Sequence, residues 1–171
     1  MKFNQERKYV MGLFDAKLAE YKPQDNDAEK KCEGDAVAKV NRISKVVSKK
    51  NGMEYLILEA EVINPVPPKE GKESNIVAGD TIKNIYAEDG KKGKDMAAFL
   101  DDMFTAGIPM DMTSEDAFEL SCTDAVNKLI YFRCYKGKFK NDEGEEIIYY
   151  RNNVRTKNMI TEELSTPQIP F

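Results

Sequence analysis

The stretch Tyr55-Leu56-Ile57-Leu58-Glu59-Ala60-Glu61-Val62 alternates strictly between two characters. Leu56, Leu58, Ala60 and Val62 form one set; Tyr55, Ile57, Glu59 and Glu61 form the other. A period of two puts these sets on opposite faces of a β-strand. Pro65, Pro67 and Pro68 stop it, because proline has no N–H to give a ladder. Just upstream, Asn51-Gly52 provides the residues that a tight hairpin turn demands. The strand before the turn starts at Gly34. There Ala36, Ala38 and Val40 alternate with Asp35, Val37, Lys39 and Asn41, and the phase slips near Arg42-Ile43. A slip inside a long strand predicts a β-bulge.

Downstream, a third strand is expected over 75–87, bent at Gly79-Asp80. Met96, Phe99, Leu100, Met103 and Phe104 then recur at helical spacing, and Gly107 with Pro109 closes that helix. A second, shorter helix begins at Thr113-Ser114-Glu115-Asp116 and ends before Leu129. In the fourth strand Ile130, Phe132 and Cys134 alternate with Tyr131, Arg133 and Tyr135. After the turn Asn141-Asp142-Glu143-Gly144, a last strand runs from about Glu146 to Arg155, with Tyr150 and Phe132 assigned to the core. Tyr9, Val10, Leu13, Phe14 and Leu18 give residues 1–20 a helical stripe, and a charged linker follows. Beyond Lys157 the chain is polar with two prolines and reads as a flexible tail.

The expected organisation is therefore an N-terminal helix and linker (1–33), a domain over 34–156, and a tail over 157–171. Three strands, a helical segment and two strands make a mainly β chain. That order predicts a five-stranded OB-fold barrel with the helical segment between strands three and four. A two-layer α+β sandwich is the rival arrangement of the same elements.

Composition removes several function classes. The 171 residues include no histidine, so neither a Ser-His or Cys-His pair nor a His-ligated zinc site can be built. The acidic residues are scattered through turns and helix surfaces. No enzyme activity, cofactor or metal is expected. Cys32, Cys122 and Cys134 are too few and too widely spaced for a disulfide framework. No apolar run is long enough to span a bilayer, and the N-terminus lacks the apolar stretch of a secretory signal, so a cytosolic protein is expected. The net charge of −4 argues against a uniformly basic coat but allows a local basic face.

Such a face is suggested by basic residues interleaved with aromatics. The candidates are Lys39, Arg42 and Lys45 on the first strand, Tyr55 on the second and Tyr86 on the third. Tyr131, Arg133, Tyr135, Lys136, Lys138 and Phe139 follow on the fourth, and Tyr149, Arg151 and Arg155 on the fifth. Unpaired bases expose π-faces on which aromatic rings stack, each stack being worth about 1–3 kcal/mol. Lysine and arginine track the phosphates, with a salt slope near −0.7 per phosphate neutralised. Each aromatic read alone also fits cross-strand packing. The loop Gly90-Lys91-Lys92-Gly93-Lys94 could touch phosphate, but it lacks Walker spacing, and a solvated turn ahead of a helix is the stronger reading.

The chain closes on Ile169-Pro170-Phe171. This tip resembles the C-terminal tip of bacterial single-stranded DNA-binding proteins, in which an acidic stretch precedes Ile-Pro-Phe. Here Ser165-Thr166-Pro167-Gln168 replaces the aspartates, with Glu162 and Glu163 nearby. The region from Gly34 to Arg155 is similar to phage-encoded single-stranded DNA-binding proteins. The matching pattern is Gly34-Asp35-Ala36-Val37, Ser44-Lys45, Ser48-Lys49-Lys50-Asn51-Gly52, the strand Tyr55–Val62, the central helix and Tyr149-Tyr150-Arg151-Asn152-Asn153-Val154. The resemblance implies a phage or prophage protein acting in a bacterial cytosol in DNA replication, recombination or repair. It implies single-stranded DNA as ligand and replication or recombination proteins as partners of Ile169, Pro170 and Phe171. Assembly into a homo-oligomer is left open. A recombination mediator or protein-interaction module with weak DNA binding is the alternative, and a carboxylate-metal nuclease is a third.

Overall fold

The computed structural model describes residues 18–20, 30–50, 52–87 and 95–165. Its elements are β1 (Ala19–Glu20), β2 (Gly34–Val47), β3 (Glu54–Val66), β4 (Thr81–Ala87), α1 (Met96–Ala106), α2 (Glu115–Ala125), β5 (Leu129–Lys140), β6 (Glu146–Arg155) and α3 (Lys157–Ser165). The chain is mainly β. Strands β2 to β6 pair antiparallel in the order β4-β3-β2-β5-β6. Short β1 runs parallel to β2, with Ala19 against Ser44 and Glu20 against Lys45. The helix expected over 1–20 therefore does not reach its end, and residues 1–17 lie outside the described residues.

β2 is the hub because it is long and bent. Its register with β3 shifts twice, between Val37 and Ala38 and between Val40 and Arg42. The second shift steps over Asn41, next to the expected phase slip near Arg42-Ile43; the first steps over Ile63 on β3. Bulges bend a strand and increase its twist. The first half of β2 (Gly34–Lys39) pairs with Leu129–Cys134 of β5 on one side, while β3 runs along the other. The third strand is shorter than expected. Asn75 to Asp80 is a loop, pinned by Asn75 Oδ1 accepting from the Glu33 N–H and by Lys30 donating to Asp80.

The inner face carries the core. Ala36, Ala38, Val40, Leu56, Leu58, Ala60, Ile130 and Phe132 are fully buried there. α1 closes one side with Met96, Phe99 and Met103. Its ends follow sequence signals: the Asp95 carboxylate accepts from the Ala98 N–H at 2.8 Å, and Gly107 stops the helix with φ 73°. The Ser114 hydroxyl caps α2 in the same way. Phe99 meets Tyr86 edge-on at 5.1 Å and Phe118 at 6.3 Å, joining sheet and helices.

The sheet is open. No ladder joins its edges β4 and β6. Two asparagines bridge them instead. Asn84 Nδ2 donates to the Asn152 carbonyl and Asn152 Nδ2 donates to the Lys83 carbonyl, each at 3.0 Å. Each buried or half-buried amide thereby finds a backbone partner, as buried polar groups must.

The C-terminal region departs from expectation. Lys157–Ser165 is helical, not a flexible tail. Ile160, with Met159, packs on Val37 and Tyr131 on the outer face of β2 and β5. This docking explains why Val37, on the strand's polar phase, is fully buried. No described helix is long and apolar enough to cross a membrane.

Candidate nucleic-acid interface

β5 pairs with β2 only as far as Cys134, but with β6 along its whole length. Tyr135–Lys140 and Glu146–Arg151 therefore run on as a two-stranded ribbon with no further strand beside it among the described residues. Register and alternation sort its side chains. Tyr135 opposite Arg151, Gly137 opposite Tyr149 and Phe139 opposite Ile147 share one face. Lys136 opposite Tyr150, Lys138 opposite Ile148 and Lys140 opposite Glu146 share the other. Phe139 is 51% exposed and Tyr135 is 37% exposed. Tyr150 is 40% exposed, which corrects its assignment to the core. Alternation gives Tyr150 the correct face, but the core ends before reaching it.

On the first face, Tyr149 stands with Phe139 6.0 Å away between ring centroids and Arg151 Cζ 5.3 Å from its ring. That second distance is within cation–π range. Toward the body the same face continues through Arg133 beside Asn153, and ends at Tyr131 beside Arg155, where α3 covers it.

The predicted residues divide by what surrounds them. Tyr86 is fully buried and its hydroxyl donates to Asp102 at 2.6 Å, so it is a core residue and cannot stack on a base. Burial, then the Asp102 charge, pushes its phenol well above the ordinary range. Tyr131 is likewise withdrawn from the surface. It is 4% exposed, and its hydroxyl donates to Asp35 at 2.7 Å. Three cations are tied to carboxylates. Arg42 Nε contacts Glu59 at 2.8 Å, Lys45 contacts Glu54 at 3.4 Å, and Arg133 straddles Asp35 at 3.2 Å. The hydrogen bonds that Arg133 donates to Asp35 stabilise the charged guanidinium and raise its pKa. Lys138 pairs with Glu146 at 3.3 Å, but both side chains are more than half exposed, so water weakens that pair.

Tyr55 is half-buried on the β3 outer face beside Val46 and Ala87. Lys39 is half-buried between Glu61 and Leu129, away from the ribbon. The structure thus brings together Tyr135, Lys136, Lys138, Phe139, Tyr149 and Arg151, with Arg133 and Arg155 along the same strands. Lys39, Arg42, Lys45 and Tyr55 stand apart from them on β2 and β3. Ile169, Pro170, Phe171 and the loop Gly90–Lys94 lie outside the described residues.

Two participants were missed. In the sequence Asp35 reads only as the polar phase of a strand, yet in the structure it organises Arg133 and Tyr131. Gly137 was unremarked, although a lone glycine within a strand pattern signals close approach by another group. Among the described residues, no group of three or more Cys, Asp or Glu side chains is placed to hold a metal ion. Burial pushes the Cys122 and Cys134 thiols up to about 12, which makes them inert at neutral pH.

No family model, curated protein or solved structure matches the chain.

Proposed function

We propose that this chain is a single-stranded DNA-binding protein built on an OB-type barrel, with the β5–β6 ribbon as its principal contact. One observation carries the reading: exposed Tyr135 and Phe139 and half-buried Tyr149 share a ribbon face with Arg151, and lysines line the reverse. An aromatic ring accepts any unpaired base, whereas stacked duplex bases offer it none. The cations of the ribbon stand where a backbone of phosphates would run beside those rings.

The OB assignment is supported by the path of the chain. A bulged first strand pairs with both the second and the fourth, and the helices fall between the third and fourth. Joining β4 to β6 would complete the ring, and the Asn84 and Asn152 bonds hold those edges together. In this fold oligonucleotides are held by the face of strands two and three and by the loops after strands one and four. The ribbon is the extended fourth–fifth connection. The role of Ile169, Pro170 and Phe171 in recruiting replication or recombination proteins rests on the resemblance of that tip alone.

The test is a titration of the full chain with single- and double-stranded oligonucleotides at two salt concentrations, followed by tyrosine fluorescence. Quenching by oligothymidylate that weakens with salt, with far weaker binding to duplex, is expected. Equal affinity for both forms, or no quenching at low salt, overturns the reading in favour of a protein-interaction module.

A further inference from the structure

Gly137 is the least explained residue of the ribbon. Its φ lies outside the left-handed region, so its backbone conformation does not require glycine. Strand interiors disfavour glycine, because it loses the most freedom on ordering and offers nothing to pack. The requirement comes from across the ribbon. A methyl group at position 137 would overlap Cζ and the hydroxyl oxygen of Tyr149 and stand 2.6 Å from its Cε1. The Tyr149 ring occupies the space a side chain at 137 would fill.

We propose that Gly137 and Tyr149 together form a base-stacking subsite for one unpaired nucleotide, with Gly137 as its positioning residue. This deepens the single-stranded DNA reading and rests on it. The ring lies across the ribbon over the Gly137 backbone, bounded by Phe139 at 6.0 Å and by Arg151 at 5.3 Å. An unsupported tyrosine on an exposed strand would sample several rotamers, and a base would bear the entropy of fixing it. The slot at Gly137 removes that cost beforehand. Arg151, for which no carboxylate partner stands among the described residues, is placed on the ring's flank to meet the phosphate next to the stacked base. The ligand class is an unpaired base with its adjoining phosphate, and base identity is not read by any polar group of the subsite.

The experiment is a double-mutant cycle on the full chain, with fluorescent oligothymidylate as probe. Tyr149→Ala should weaken binding about tenfold, the range of one lost stack. Gly137→Ala should weaken it by a similar factor while leaving thermal stability unchanged or higher. The double variant should bind no worse than Tyr149→Ala alone, because Gly137 acts only through the ring. If Gly137→Ala binds like the unaltered chain while Tyr149→Ala is weakened, the positioning role is overturned and the DNA-binding function stands. If the unaltered chain does not bind the probe at low salt, the function itself fails. Should Gly137→Ala alone not fold, the pair Tyr149→Ala and Gly137→Ala/Tyr149→Ala decides, because the overlap is then gone. Equal affinities support the subsite, and a further loss in the double variant overturns it.

Discussion

Two strand pairs flank β2, and they differ in how their outer faces are charged and covered. On the β3–β4 side, Arg42 is held by Glu59 with Glu61 on the same face, and Lys45, in register with inner-face Leu56, is held by Glu54. On the β5–β6 side, among the described residues, Arg133 alone is held by a half-buried carboxylate; past it, aromatic rings and solvated cations extend beyond the core. Both pairs are antiparallel, both border the hub strand, and both carry tyrosines. What separates them is compensation. A cation already neutralised by a neighbouring carboxylate releases fewer counterions when a phosphate arrives, so it contributes less to affinity. Strand pairing alone does not distinguish the two sides of this open sheet; charge balance does.

That contrast can be broken in three ways. The largest effect separates wall from ribbon. Leu58→Ala, at a fully buried position on β3, should cost about 2–5 kcal/mol in urea denaturation. Ile148→Ala, at a position 49% exposed on β6, should stay within about 0.5 kcal/mol. A comparable loss at Ile148 would mean that the ribbon is covered in solution and is not an open face. Next, Tyr135→Ala should lower oligothymidylate affinity by about 1–3 kcal/mol, while Tyr55→Ala should change it by less than about twofold. Equal losses would move the binding face to β3–β4. The smallest effect is in the salt dependence. Lys136→Gln and Arg151→Gln should each reduce the slope of log affinity against log salt by about 0.7, and Arg42→Gln should leave it unchanged. A reduced slope for Arg42→Gln would show that Glu59 does not offset its charge.

Much of the body was legible in the sequence. Alternation at Leu56, Leu58 and Ala60 and at Ile130, Phe132 and Cys134 identified core faces, and the phase slip near Arg42-Ile43 fell beside the bulge at Asn41. Gly107 marked the end of α1 because capping chemistry is local. What could not be read was cover. Tyr131 has the same phase as Tyr135, yet one is buried and the other exposed, because α3 lies over the first. α3 itself is weakly patterned. Its seat is Val37 and Tyr131, residues far away in sequence, so tertiary packing overrides the polar composition. Ion pairs such as Arg133 with Asp35 depend on strand pairing across most of the domain and leave no mark in either segment alone.

The asparagine bridge between β4 and β6 has a mechanical consequence. Force drawn across β2 and β3 must break a ladder of twelve residue pairs, whereas force drawn across β4 and β6 meets, among the described residues, the two asparagine side-chain bonds. Under tension the sheet would part at that line first and unroll while its inner pairings hold. The sheet would then yield at one predetermined line and could re-form it without re-registering any strand.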